Sequence, residues 1–168
     1  MIIVTGASGG IGKIIIDKLS KLETVIAVYN SSNSIMKNAN NIKWIKSDLR
    51  SISGVEKVVT EVSKYSDEKI SLLNMSAKKN DGLLVNHDLS LWDESISLNL
   101  TSPFYFAKLL IPLMIKNKWG RFMFVTSTGG IRGDIGTVSY SASKTGLIGL
   151  SRVISKEYSK FNITSNII

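Results

Sequence analysis

Tyr140 and Lys144 in the stretch "YSASK" are four residues apart, one helical turn, so their side chains share a face. A phenol with a pKa of about 10 is a poor acid at neutral pH. A lysine cation beside it favours the phenolate and lowers that pKa, which makes Tyr140 usable as a proton donor to a carbonyl oxygen. Ser127 lies thirteen residues upstream at the end of an apolar run, where its hydroxyl can hydrogen-bond the same oxygen. Alone, a Tyr-x3-Lys pair is usually plain helix surface, so it matters what accompanies it.

"TGASGGIG" (5–12) follows a short apolar run and opens a helical one. Gly6 permits a tight turn, Gly10 leaves room for a phosphate to approach the backbone, and Gly12 allows close helix–strand packing. Backbone N–H groups and the positive helix end then hold a pyrophosphate. The second apolar run ends in "VYNSSNS" without a carboxylate. Asn30, Ser31 and Ser32 can donate to a 2′-phosphate and nothing there repels it. No arginine is present to clamp it, while Lys13 and Lys37 are within a long side chain's reach. This favours NADP over NAD. Asp48 ends the third run, where it either accepts from an adenine amino group or caps the next helix. Asn74 ends the fourth, as a bridge from backbone to cofactor or as an ordinary turn residue.

The elements that must position these groups read as β-α-β-α-β. Strands are expected at 2–6, 24–30, 42–48, 69–76, 120–127 and from 162. Helices are expected after the glycine loop, with Ile11, Ile14, Ile15, Leu19 and Leu22 on one face; after 53, with Val55, Val58, Val59 and Val62; from about 90 to 118; and from Tyr140. Ser53 with Glu56 and Ser90 with Asp93 form capping boxes, and Pro103 and Pro112 should kink or interrupt the third helix. Residues 129–139 read as a glycine-rich loop. The alternation predicts an α/β doubly wound parallel sheet, Rossmann-like and three-layered, in one domain over 1–168, with ligands at the C-terminal strand ends.

Composition narrows the chemistry. There is no cysteine and one histidine, which removes disulfides, thiolate catalysis, cysteine-held metals and multi-histidine metal sites. Apolar residues make up 43% and charged residues 20%, a soluble globular balance. The longest greasy stretch, "LLIPLMI" (109–115), is too short to span a bilayer, and no signal peptide is visible, so the protein is expected to be cytoplasmic. The net charge of +8 comes from scattered lysines, read as a solvated basic surface and not a nucleic-acid site.

With these residues in place, the chain resembles the short-chain dehydrogenase/reductase family. The resemblance rests on "TGASGGIG", Asp48, Asn99 in "SLNLTSPF", Ser127 in "VTSTGG" and "YSASK", in the family's order and spacing. It implies a tetrad in which Tyr140 is the general acid in reduction, Lys144 binds the nicotinamide ribose and tunes Tyr140, Ser127 orients the carbonyl, and Asn99 holds a relay water. It implies a cofactor-binding set of Gly6, Ser8, Gly10, Ile11, Gly12, Asn30, Ser31, Asp48, Leu49 and Asn74, with Tyr140 and Lys144.

Within the family, Asp81, Leu83, Leu84 and Trp92 resemble the same segment of 3-oxoacyl-[acyl-carrier-protein] reductases. Trp92 is expected in the core, and His87 in a loop without a catalytic role. An acidic carrier protein carrying the thioester substrate would dock on Lys116, Lys118 and Arg121, and a homo-oligomer is implied. "NMSA" departs from the family's Asn-Asn-Ala-Gly. The family also continues past "ITSNII" with a substrate-covering segment, a helix and a strand. Their lack predicts an exposed sheet edge and weak turnover, with a non-catalytic nucleotide-binding module as the alternative.

Overall fold

Short apolar runs alternating with amphipathic ones bury themselves by pairing side by side and taking the amphipathic segments as cover. The computed structural model describes residues 1–31, 40–65 and 67–168. Strands β1 (Ile2–Thr5), β2 (Val25–Tyr29), β3 (Ile42–Lys46), β4 (Ile70–Asn74), β5 (Gly120–Phe124) and β6 (Ile163–Ile167) form one sheet in the order β3-β2-β1-β4-β5-β6. Every neighbouring pair is parallel. The order reverses between β1 and β4, so the chain leaves the C-terminal ends of those strands in opposite directions and opens a crevice there.

The crossovers divide the helices between the two faces. Helix α1 (Gly10–Leu19) covers Val4, Ala27 and Leu73 on one face. On the other, α2 (Ile52–Ser63), α4 (Ser102–Lys116) and α6 (Val138–Tyr158) pack on Ile3, Ile26, Leu72, Phe122 and Ile163. Two shorter helices, α3 (Leu89–Ile96) and α5 (Thr128–Arg132), precede α4 and α6. Residues alternate between buried and half-exposed along β5, and between buried and mainly exposed along β6, because over these strands one face is covered.

Several local expectations are corrected. The buried face of α1 is Gly12 and Ile16, flanked by Ile15 and Leu19, while Ile11, Ile14 and Leu22 are exposed. Close contact at Gly12 fixes the helix roll and turns the predicted stripe partly outward. The stretch 129–139 contains α5, and α6 begins at Val138. Trp92 is 37% exposed on α3 and is not a core residue.

The prolines do not interrupt the third helical segment, which runs from Leu89 to Lys116. A wide π-turn at Ser97–Thr101, where the Ser102 N–H reaches back to the Ser97 carbonyl, immediately precedes Pro103. The i→i−4 ladder has already lapsed where the proline ring would have broken it. By length and composition this run could cross a membrane; its Phe106, Leu110 and Met114 are fully buried against the sheet.

The capping residues also shift by a few positions. Ser51 caps α2 by accepting from the Gly54 N–H at 3.2 Å, and Asp88 caps α3 by accepting from the Ser90 N–H at 2.7 Å. Ser53 and Ser90 already lie inside their helices. Ser51→Ala is therefore expected to lower stability by about 1 kcal/mol in urea unfolding. Ser53→Ala should stay within about 0.5 kcal/mol of wild type; the reverse order would contradict this cap assignment.

Candidate active site

The site is built around the crevice between the ends of β1 and β4. Thr5, the last residue of β1, donates its hydroxyl proton to the Asn74 amide oxygen at 3.0 Å. The same hydroxyl oxygen accepts from the Met75 and Ser76 N–H groups at 3.1 and 3.0 Å. Next along, Gly6 adopts a left-handed φ of +69°, and a Cβ there would stand 2.9 Å from the Ser76 nitrogen. Both the backbone angle and the close approach require glycine.

Gly12 is held as tightly: a Cβ would meet the Gly6 carbonyl oxygen at 2.4 Å and that of Ala7 at 2.7 Å. Around Gly10 a Cβ would meet nothing within 4 Å, so the space outside the turn is open. No side chain caps α1 and its first turn has no acidic residue. Its positive end is left for an anion.

Beside this turn lies a cleft of about 470 Å³. Of the predicted cofactor residues, Gly6, Ser8, Asn30, Ser31, Asp48 and Leu49 line it. Gly12 and Asn74 lie behind its wall, buried, while Ile11 is 72% exposed at the start of α1. Ser32 and Lys37 lie outside the described residues. Asp48 does not cap α2, since Ser51 does; its carboxylate is held by Arg50. Two donors, the Asn74 amide nitrogen and the Ser76 hydroxyl, are buried at the crevice without a partner. Unspent donors, an uncapped helix end and a glycine cradle that a Cβ would fill are the features a dinucleotide needs, so the residues fit that group.

The predicted catalytic residues converge on the next strand. Helix α6 carries Tyr140, half-buried, and Lys144, 1% exposed, with the lysine nitrogen 5.7 Å from the tyrosine ring centre. The Lys144 ammonium donates to the Val125 carbonyl at 2.7 Å, and Thr126 donates its hydroxyl to the Lys144 carbonyl at 3.2 Å. These bonds tie α6 to the segment after β5, where Ser127 stands at the N-terminal boundary of α5. At Gly130 a Cβ would lie 2.6 Å from the Lys144 Cβ, so α5 packs directly on α6.

Asn99 sits in the π-turn, fully buried. Its oxygen accepts from the Lys78 N–H at 2.8 Å, and its nitrogen donates to the Lys78 carbonyl at 2.9 Å and to the Ser143 hydroxyl at 3.0 Å. Both amide hydrogens are thus spent on protein groups. The side chain fixes the loop after β4 onto α6.

Sequence reasoning missed Thr5, Ser76, Arg50, Lys78, Glu94 and Ser143. The departure "NMSA" was the one available signal for Ser76. Arg50 lies two residues from Asp48 and reaches Glu94 across the fold; the others are brought in by long-range contacts that no local spacing encodes. Lys116, Lys118 and Arg121, the residues expected to meet a carrier protein, fall at the N-terminal end of β5, opposite the site. There Lys116 pairs with Asp67, and the Arg121 guanidinium lies 4.4 Å over Trp119.

Burial pulls the Lys144 ammonium down from its ordinary 10.5 to about 8. The unfolded chain holds that proton more tightly, so the penalty is fully present below pH 8 and is relieved as pH rises from about 8 towards 10.5. Lys144→Met has no such penalty. Relative to that variant, wild type should gain up to about 3 kcal/mol of unfolding free energy across this window. A flat difference would contradict burial as the cause.

A short chain dehydrogenase family model matches residues 1–168. The 3-oxoacyl-[acyl-carrier-protein] reductase of Buchnera aphidicola subsp. Acyrthosiphon pisum is 34% identical over 170 residues, covering 98% of this chain and 70% of that protein. The reductase of the same name from Aquifex aeolicus is 29% identical over 175 residues, covering 99% and 71%. A solved structure from Bacillus thuringiensis superimposes with a TM-score of 0.87 at 24% identity, covering 99% of this chain and 74% of that one, which supports the fold. The chain belongs to the short-chain dehydrogenase family of oxidoreductases.

Proposed function

We propose that this chain reduces the ketone of a 3-oxoacyl thioester, carried on an acyl carrier protein, with NADPH as reductant. The observation that carries the reading is the buried Lys144 ammonium 5.7 Å from the Tyr140 ring, on a helix bonded to the segment after β5, two strands from the glycine turn across β4. When bound, the nicotinamide supplies the hydride.

The chain's own residues do the rest. The backbone of the 6–12 turn and the uncapped end of α1 would hold the pyrophosphate. Asn30 and Ser31 line the cleft without a carboxylate of their own strand end to repel a 2′-phosphate, which favours NADPH over NADH. Tyr140 gives its proton to the carbonyl oxygen. Ser127 donates a hydrogen bond to that oxygen and fixes its direction. Lys144 holds the ribose and supports the phenolate left behind. Asn99 and Ser143 keep α6 in register with the loop after β4.

The thioester and its carrier come from the named relatives. Lys116, Lys118 and Arg121 remain the proposed carrier contact; since they lie at the far end of β5, a carrier docked there serves the site of a neighbouring copy. That fits a homo-oligomer joined through the outer faces of α4 and α6, where Phe104 and Val153 are 47% and 51% exposed beside a groove. A cytoplasmic location belongs to the same proposal.

Tyr140→Phe keeps the ring and removes the proton. It is expected to cut acetoacetyl-thioester reduction about a hundredfold or more while leaving NADPH affinity within about threefold of wild type. Turnover surviving in this variant would remove Tyr140 as the acid. Turnover absent from wild type, with binding intact, would make the chain a nucleotide binder only.

A further inference from the structure

Four charged side chains run along one wall of the cleft. The Arg50 backbone N–H and its Nε donate to Asp48 Oδ1, both at 3.0 Å, and Nε and Nη2 donate to Oδ2 at 3.1 and 2.6 Å. Arg50 Nη1 donates to Glu94 Oε1 at 3.0 Å, across 44 residues of sequence. The other oxygen of Glu94 pairs with Lys78 Nζ at 2.6 Å. Asp48, Arg50, Glu94 and Lys78 all line the cleft.

We propose that Arg50 is a positioning residue for base recognition: it holds the Asp48 carboxylate as a fixed acceptor for the exocyclic amine of the cofactor's adenine. This rests on the dinucleotide reading above. Without the guanidinium the carboxylate would keep only the Arg50 backbone N–H, on Oδ1, and would lose more entropy on binding. A fork of guanidinium N–H groups removes that freedom in advance.

The clamp does not exhaust the acceptor. A carboxylate offers about four lone-pair positions, and three N–H groups make four contacts with them, two to each oxygen. Because Nε–H is shared between both oxygens, it can yield one of them to an incoming N–H and keep the other. The arginine is itself held from outside by Glu94, which Lys78 fixes in turn, and the Lys78 backbone is pinned by Asn99. The Arg50 side chain holds the Asp48 carboxyl below its ordinary range, and Lys78 foremost does the same for Glu94. Both therefore stay ionised and act as acceptors only.

The test compares NADPH with its hypoxanthine analogue, which carries a carbonyl oxygen where adenine carries the amine. Binding is read by nicotinamide fluorescence, independently of turnover. Wild type is expected to bind the analogue about tenfold or more weakly. In Arg50→Met the two should come within about threefold, chiefly through loss of NADPH affinity. Glu94→Gln, which leaves the Asp48–Arg50 contact in place, should show an intermediate gap. Circular dichroism and urea unfolding establish that each variant is folded.

If Arg50→Met keeps the wild-type gap, or weakens both ligands equally, Arg50 does not position the base acceptor and the proposal is overturned. If wild type itself binds both ligands equally while still preferring them to nicotinamide mononucleotide, recognition of the base by Asp48 fails first, and the role of Arg50 fails with it.

Discussion

The Thr5 hydroxyl is the contact on which the site depends. One buried oxygen serves β1 and β4 at once, donating to Asn74 and accepting from the two N–H groups that follow β4. Strand order reverses between these strands, so their chain ends diverge, and nothing in the sheet ladder closes the gap beyond them. Without the hydroxyl, the Met75 and Ser76 N–H groups would lose their partner in a protein interior, at about 1–3 kcal/mol for each buried group left unsatisfied. With it, the loop after β4 lies so close to the glycine turn that Gly6 cannot carry a Cβ. The crevice is narrow for this reason, with backbone facing backbone at Gly6 and Ser76.

From that junction the polar order spreads outward. Asn99 fastens Lys78 and Ser143, so the loop after β4, the π-turn and α6 are tied together. Ser139 on α6 donates to Ser95 on α3, and Asn80 donates to the same Ser95 hydroxyl. Small hydroxyls let these helices approach closely, as Gly146 does where a Cβ would reach Leu100 at 2.7 Å. Lys144 is the costly member: its charge is buried and its ammonium donates to one carbonyl. That cost is what a functional position looks like beside a core built for stability.

Much of this was legible in the sequence, for physical reasons that differ by element. The short apolar runs and the β-α alternation point to the sheet and its parallel sense, and Tyr140 with Lys144 share a helix face because spacing alone requires it. Gly6 and Gly12 were assigned the turn and the packing contact that their backbone angle and missing Cβ now display. What stayed hidden was set by tertiary contact. The α1 stripe turned because Gly12 anchors it. Ser53 and Ser90 looked like caps because a capping box has a short, tolerant pattern, and the chain entered each helix a residue or two earlier. Pro103 reads as a breaker until the π-turn before it is known. Arg50 and Glu94 are 44 residues apart, and no local pattern joins them.

The central claim is that the crevice between β1 and β4, with its glycine turn and uncapped helix, binds a nicotinamide dinucleotide. A titration of the purified chain with NADPH, followed by nicotinamide fluorescence with NADH alongside, tests it most directly. Saturable binding with NADPH tighter is the predicted result. No saturable binding of either, in a chain shown to be folded, would contradict the claim.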